Sequence, residues 1–109
     1  VFGCGGNRDT LKRSVMGEIA SFYCKHVIIT SDNNRNEEFD NIIKDISKNI
    51  YNYKVIKDRK EAIIYCLNNY PDLDIYILGK GDEQYLIEKD KLIKHNDKEF
   101  VLKYINNNL

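Results

Sequence analysis

His26-Val27-Ile28-Ile29-Thr30-Ser31-Asp32-Asn33-Asn34-Arg35 decides how this chain folds. A β-branched apolar run, Val27 to Thr30, stops abruptly at a polar cluster. Branched side chains favour pleated backbone, and Asp and Asn favour the turn that ends it. Beyond the cluster, Phe39, Ile42, Ile43, Ile46 and Ile50 recur at the spacing of an amphipathic helix, with Glu37 and Glu38 placed favourably at its start. The stretch predicts a strand, a loop and a helix, in that order.

The same succession stands on either side of it. Upstream, Val1-Phe2 ends a strand and Gly3-Cys4-Gly5-Gly6-Asn7-Arg8-Asp9 forms a loop. Leu11, Val15, Ile19, Phe22 and Tyr23 then mark a helix over 11–24, with Thr10 as its cap. Downstream, Tyr53 to Ile56 predicts a weaker strand and Asp58 a second cap. Ala62, Ile63, Tyr65, Cys66 and Leu67 form the buried face of the helix that follows, and Pro71 stops it.

Leu73 to Leu78 is near-continuously apolar, as in the interior of a parallel sheet, and gives way to Gly79-Lys80-Gly81-Asp82-Glu83. Tyr85-Leu86-Ile87 and Leu92-Ile93 predict a hairpin across Lys89-Asp90-Lys91. A last helix follows, capped by Asp97 and carrying Phe100, Val101, Tyr104 and Ile105; Asn106 to Asn108 should fray. The order is β-α-β-α-β-α-β, then a hairpin and a helix. With right-handed crossovers this is an α/β fold: a Rossmann-like, mostly parallel sheet with helices on both faces plus a C-terminal β-hairpin and helix.

The 109 residues are one domain's worth of chain, and 17 basic side chains balance 17 acidic ones. A neutral balance gives no electrostatic case for nucleic acid or an anionic membrane surface. No apolar run approaches the ~20 residues of a membrane span, and no secretory leader pattern opens the chain. Cys4, Cys24 and Cys66 are odd in number and widely spaced, which argues against structural disulfides or zinc and fits a cytoplasmic, reducing setting. The chain lacks an initiating Met and opens on Val1-Phe2 directly before glycines. That predicts a single domain over 1–109, cut short at its N-terminus and belonging to a longer protein.

Parallel strands end on one edge of an open α/β sheet, and ligands bind in the crevice there. The three polar clusters therefore predict one site for something small, polar and charged. Asp32 suits an ammonium and Arg35 a carboxylate, so the pair suits an amino-acid zwitterion. Glu83 adds a second ammonium acceptor, and Gly79 and Gly81 permit close approach of backbone.

Arg8 either points into the crevice or is a solvated capping residue. Lys80 either binds phosphate or is solvated. The loop Gly3 to Gly6 either offers its amides to a phosphate or is a tight turn that needs glycine for its backbone angles. It is not a dinucleotide fingerprint, since Arg8 stands at the third glycine position, nor a phosphate loop ending in Gly-Lys-Ser or Gly-Lys-Thr. His26 and His95 are read as structural. On these grounds a stand-alone Rossmann-like module for a nucleotide or an amino acid stays open.

The clusters in combination carry a resemblance. Val1 to Asp9, Lys12-Arg13, Met16-Gly17, Thr30-Ser31-Asp32-Asn33 with Arg35, Asp58-Arg59 with Glu61-Ala62-Ile63, and Gly79-Lys80-Gly81 with Glu83 together resemble the C-terminal domain of the Mur ligases. The resemblance runs over nearly the whole chain, in order and with matching spacing. It implies part of an ATP-dependent amide ligase of peptidoglycan precursor synthesis. A carboxylate of UDP-MurNAc-L-Ala-D-Glu is activated as an acyl phosphate, and the amine of a diamino acid attacks it.

By this resemblance Arg8, Asp32, Asn33, Arg35, Gly79 and Glu83 hold the incoming amino acid. ATP and Mg are bound mainly by the central domain of the same polypeptide, which this chain does not include. Arg35 in its Asp-Asn-x-Arg setting implies meso-diaminopimelate, with its distal carboxylate, over L-lysine. The chain departs from the family at Asn34 and Ser14, where proline is usual, at Asp82, where histidine is usual, and at Asn7, where aspartate is common. Asn34 leaves the loop that carries Arg35 less constrained, and Asp82 adds negative charge beside Glu83.

Overall fold

A computed structural model describes residues 1–107. The elements are α1 (Leu11–Tyr23), β1 (Ile28–Ile29), α2 (Phe39–Ile46), β2 (Lys54–Val55), α3 (Arg59–Asn69), β3 (Tyr85–Glu88), β4 (Lys91–Lys94) and α4 (Asp97–Asn107). β1 and β2 pair in parallel, and Phe2 bridges Ile29 in parallel on the other side of β1. The Val1 amine donates to the Tyr76 carbonyl, and Leu78 N–H donates to the Val1 carbonyl, which sets Ile77 opposite Val1. Across the sheet the order is thus β2, β1, Val1-Phe2, then the 73–78 segment. The chain reverses its direction of travel across the sheet between Val1-Phe2 and that segment, the place where an open α/β sheet forms its crevice.

Two apolar clusters cover the two faces. Phe2, Val27, Ile29, Ile42, Ile46 and Ile50 pack on one side; Ile28, Ala62 and Cys66 pack on the other with Ile75 and Tyr70 against them. Alternation along Val27-Ile28-Ile29 sends neighbouring side chains to opposite faces, which is why one short strand serves both. α2 buries Phe39, Ile42 and Ile46 as its spacing predicts, and α3 buries Ala62, Ile63 and Cys66. The hairpin of β3 and β4 forms with Lys89 at φ 55° in its turn.

Several expectations change on contact with the structure. Leu73 to Leu78 forms no regular strand and meets Val1 at the margin of the sheet, not in its interior: Tyr76 is 66% exposed and Leu78 55%. Among the described residues it pairs with the sheet through Val1 alone. α1 stands where predicted, yet its stripe faces outward, with Leu11 and Phe22 more than four-fifths exposed. What α1 buries is Arg13 and Gly17. An apolar groove of about 450 Å³ runs between its Met16–Tyr23 side and the 73–78 segment.

Thr10 makes no side-chain cap; Asp9 Oδ1 accepts from Leu11 N–H in its place. Asp97 likewise cedes the cap of α4 to Asn96, whose Oδ1 accepts from Glu99 N–H, because Asp97 is committed to Arg59. Asp58 caps α3 as predicted. α4 runs through Asn106 and Asn107, and Asn108 of the Asn-rich tail lies outside the described residues.

Gly17 explains how α1 meets α2. A β-carbon there would collide with the Ile46 carbonyl oxygen, so only glycine lets the two backbones approach this closely. Beside that crossing, the buried Arg13 guanidinium grips Glu37 through both carboxylate oxygens at 2.7 and 2.8 Å. It also reaches Asp45 at 2.9 Å and the Gly5 carbonyl at 2.9 Å. Glu37 is therefore no helix-dipole residue but a tie between α1, α2 and the glycine loop.

Gly17→Ala should lower stability by about 1–3 kcal/mol, the scale of overpacking, seen as a drop of several degrees in the Tm of the full-length protein. The Arg13 hydrogen bonds hold the Glu37 carboxyl down at about 2, against an ordinary 4.5. A depressed carboxylate contributes stability that is complete above its unfolded value and is lost as pH falls through its folded one. Thermal melts between pH 5 and pH 2 should show that loss; Glu37→Gln should melt lower at neutral pH and decline less steeply.

Candidate functional site

Two loops on the carboxyl edge of the sheet, 31–35 and 79–83, bring their side chains together around one ammonium. Lys80, with its side chain fully enclosed, places Nζ 3.2 Å from Asp32 Oδ1, 3.0 Å from Asn33 Oδ1 and 3.2 Å from Glu83 Oε1. Asn33 is fixed from both ends. Its Oδ1 also accepts from Ile87 N–H at 2.9 Å, and its Nδ2 donates to Glu83 Oε1 at 3.2 Å. The structure thus brings Asp32, Asn33 and Glu83 together as predicted, and places Lys80, neither solvated nor open to phosphate, at their centre.

Gly79 adopts φ 106°, a backbone conformation that side chains rarely take, and a β-carbon there would stand 2.8 Å from Asp32 Oδ2. That second oxygen of Asp32 faces the Gly79 backbone and has no hydrogen-bond partner among the described residues.

Arg35 reaches the same region from a left-handed backbone at φ 53°, unusual for a side chain of its size. The hairpin holds it there: Arg35 N–H donates to the Ile87 carbonyl and Lys89 N–H to the Arg35 carbonyl, at 3.2 and 2.7 Å. Its Nη1 donates to the Gly6 and Asn33 carbonyls, which leaves Nε and Nη2 without partners among the described residues. Asp32 and Arg35 do not pair with each other; each keeps polar atoms free. Arg8 is exposed and joins no hydrogen bond among the described residues. It flanks Gly5, whose β-carbon position lies 3.5 Å from Arg8 Cγ and 2.9 Å from Arg35 Nη1.

The glycine loop is not a turn with glycine-only angles, and one of its amides is already spent. Gly3, Gly5 and Gly6 have no positive φ, and Gly6 N–H is committed to the Asn33 carbonyl. Gly3 and Gly6 are glycine because a β-carbon would collide with the Thr30 and Asn34 carbonyls. Their function is to let this loop lie against the Asp32 loop. Asn34 is buried, and its Oδ1 has no partner among the described residues. It lines a cleft of about 390 Å³ between the hairpin and the start of α3.

Beneath the site lies a second buried ion pair. Arg59 Nε and Nη2 bind the two oxygens of Asp97 at 2.9 and 2.8 Å, while Nη1 and Nη2 donate to the Ser31 and Leu78 carbonyls, each at 3.0 Å. His95 Nε2 lies 2.6 Å from Asp97 Oδ1. Burial would raise the Asp97 carboxyl, but the Arg59 and His95 hydrogen bonds outweigh it and hold the group well below the carboxylate range. Burial raises the Cys66 thiol, and burial with the Asp32 charge raises that of Cys4, so neither is an activated nucleophile. Sequence reasoning read Lys80 as a phosphate ligand or solvated, Asp97 as a cap and Arg59 only as part of a motif, because a buried charge looks like a solvated one until its partners are in place. The one available signal was position, for Ser31 and Leu78 immediately precede Asp32 and Gly79.

Against this geometry, residues 1–81 match the family profile described as the Mur ligase, glutamate ligase domain. The chain belongs to the Mur ligase family. It is 53% identical over 108 residues to a UDP-N-acetylmuramoyl-L-alanyl-D-glutamate--2,6-diaminopimelate ligase of Helicobacter pylori, covering 95% of this chain and 24% of that protein. Proteins of the same name from Rickettsia bellii and Clostridium acetobutylicum are 48% and 46% identical, over 91% and 96% of this chain and 22% of each relative. A solved structure, also titled as a 2,6-diaminopimelate ligase, superposes with a TM-score of 0.89 at 34% identity, over 98% of this chain and 23% of that one. The Mur ligase relatives thus share the α/β architecture, and this chain spans about a quarter of their length. No described helix is long and apolar enough to cross a membrane.

Asp97→Asn should destabilise the full-length protein by about 3–5 kcal/mol, because it leaves the Arg59 guanidinium buried without its counter-charge. Urea unfolding followed by circular dichroism measures that difference.

Proposed function

We propose that this chain is the amino-acid-presenting domain of an ATP-dependent ligase that joins meso-diaminopimelate to UDP-MurNAc-L-Ala-D-Glu in the cytoplasm. One observation carries the reading. Free carboxylate oxygens of Asp32 and Glu83 and free guanidinium donors of Arg35 stand on one edge of the sheet, in a chain about half identical to proteins named for that substrate. An amino-acid end needs both signs of charge within reach, and here both are supplied by loops held rigid by backbone pairing.

In this reading Asp32, Asn33, Gly79 and Glu83 take the ammonium of the distal amino-acid centre, and Arg35 its carboxylate, with Arg8 at the rim. The nucleophilic amine at the other end is then free to attack an acyl phosphate formed on the D-glutamyl group. Orientation is the contribution of this domain, and closure over the acyl phosphate excludes water. ATP and Mg belong in this reading to the central domain of the same polypeptide. Among the described residues no group of three His, Cys, Asp or Glu is placed to hold a metal ion.

The test is made on the full-length enzyme, following phosphate release that depends on UDP-MurNAc-L-Ala-D-Glu and a diamino acid. The wild type should turn over with meso-diaminopimelate and far more slowly with L-lysine. Arg35→Ala should cut kcat/KM for diaminopimelate by about ten- to a hundredfold, the worth of one charge-assisted hydrogen bond. Lysine used as efficiently as diaminopimelate by the wild type would sink the assignment.

A further inference from the structure

Lys80 is enclosed so completely that it cannot touch a substrate, yet every donor of its ammonium is spent on residues of the site. It takes one oxygen from each carboxylate, Asp32 Oδ1 and Glu83 Oε1, and leaves Asp32 Oδ2 and Glu83 Oε2 without partners among the described residues. It also fixes which way Asn33 points, since Oδ1 must face a donor and Nδ2 an acceptor. Two carboxylates and one ammonium leave this pocket with one net negative charge. One such charge matches one ammonium; two would match a more cationic ligand.

We propose that Lys80 is a positioning and selectivity residue, which sets the amino-acid pocket at a single net negative charge and thereby favours a zwitterionic over a purely cationic distal end on the diamino acid. The inference rests on the ligase reading above. With Lys80 in place, the pocket and Arg35 together are neutral, and a distal centre bearing both ammonium and carboxylate fits without leftover charge. Without it the pocket holds two negative charges against the one positive charge of Arg35. A carboxylate brought there is repelled, while the bare ammonium of lysine is drawn in. Lys80 thus acts on selectivity through Asp32, Asn33 and Glu83 without contact of its own.

The decisive measurement is a ratio, kcat/KM for meso-diaminopimelate over kcat/KM for L-lysine, in full-length wild type, Lys80→Met and Lys80→Gln. The glutamine variant can still donate hydrogen bonds to Asn33 and Asp32, so it retains more of the packing while losing the charge. The ratio should fall about tenfold in both variants, with KM for ATP and for UDP-MurNAc-L-Ala-D-Glu within about twofold of wild type. Structural damage would lower both kcat/KM values and leave their ratio where it was. A ratio unchanged in a folded variant overturns the role of Lys80 alone. So does failure of both variants to fold, which would show that Lys80 serves the fold and not selectivity. Wild type without diaminopimelate-dependent turnover overturns the ligase reading, and this role with it.

Discussion

Arg59 is the contact on which the site's architecture depends. From the first turn of α3 its guanidinium holds the carbonyl of Ser31, the carbonyl of Leu78 and both oxygens of Asp97. Those carbonyls belong to the residues just before Asp32 and Gly79, so one planar cation sets the separation of the two loops that build the pocket. A lysine could not replace it, because a point charge lacks the fork that reaches three chain segments at fixed angles. Buried ion pairs contribute little to net stability when desolvation is counted. What Arg59 contributes is definition: the loops have one arrangement that satisfies its donors.

Arg13, Arg59 and Lys80 form a pattern. They are the largest fully buried side chains among the described residues, and each joins segments far apart in the chain. Arg13 ties α1 to α2 and to the glycine loop; Arg59 ties α3 to α4 and the sheet edge; Lys80 ties the Asp32 loop to its own. With short strands and few wide apolar contacts, this small sheet takes its precision from polar joints. The glycines complement them, since Gly3, Gly6 and Gly17 bring backbones close enough for those joints to close.

How much of this was legible in the sequence follows from range. Patterns set within a few residues came through: the amphipathic face of α2, the Asp58 cap and the hairpin. Expectations that needed a distant partner did not. Thr10 and Asp97 have the chemistry of caps, but Asp9 took the first role and Arg59, 38 residues away, claimed Asp97. Leu73 to Leu78 has the composition of an interior strand, yet composition cannot say whether a neighbour lies on both sides. In the site, Asp32, Asn33 and Glu83 were legible as acceptors, whereas Lys80 was not legible as their organiser, 48 residues from Asp32.

The left-handed turn at Arg35 has a consequence for energetics. Its backbone is shared with the hairpin, which accepts its N–H and donates to its carbonyl on either side of Glu88. Local opening of β3 and β4 would release the strained φ angle and with it the aim of the guanidinium. Any ligand that requires Arg35 in place must also meet the free energy of keeping the hairpin closed. Occupancy of the pocket and protection of the hairpin amides against solvent exchange are therefore linked equilibria. The hairpin's own stability becomes an adjustable term in affinity, reachable by substitutions that never approach the bound molecule.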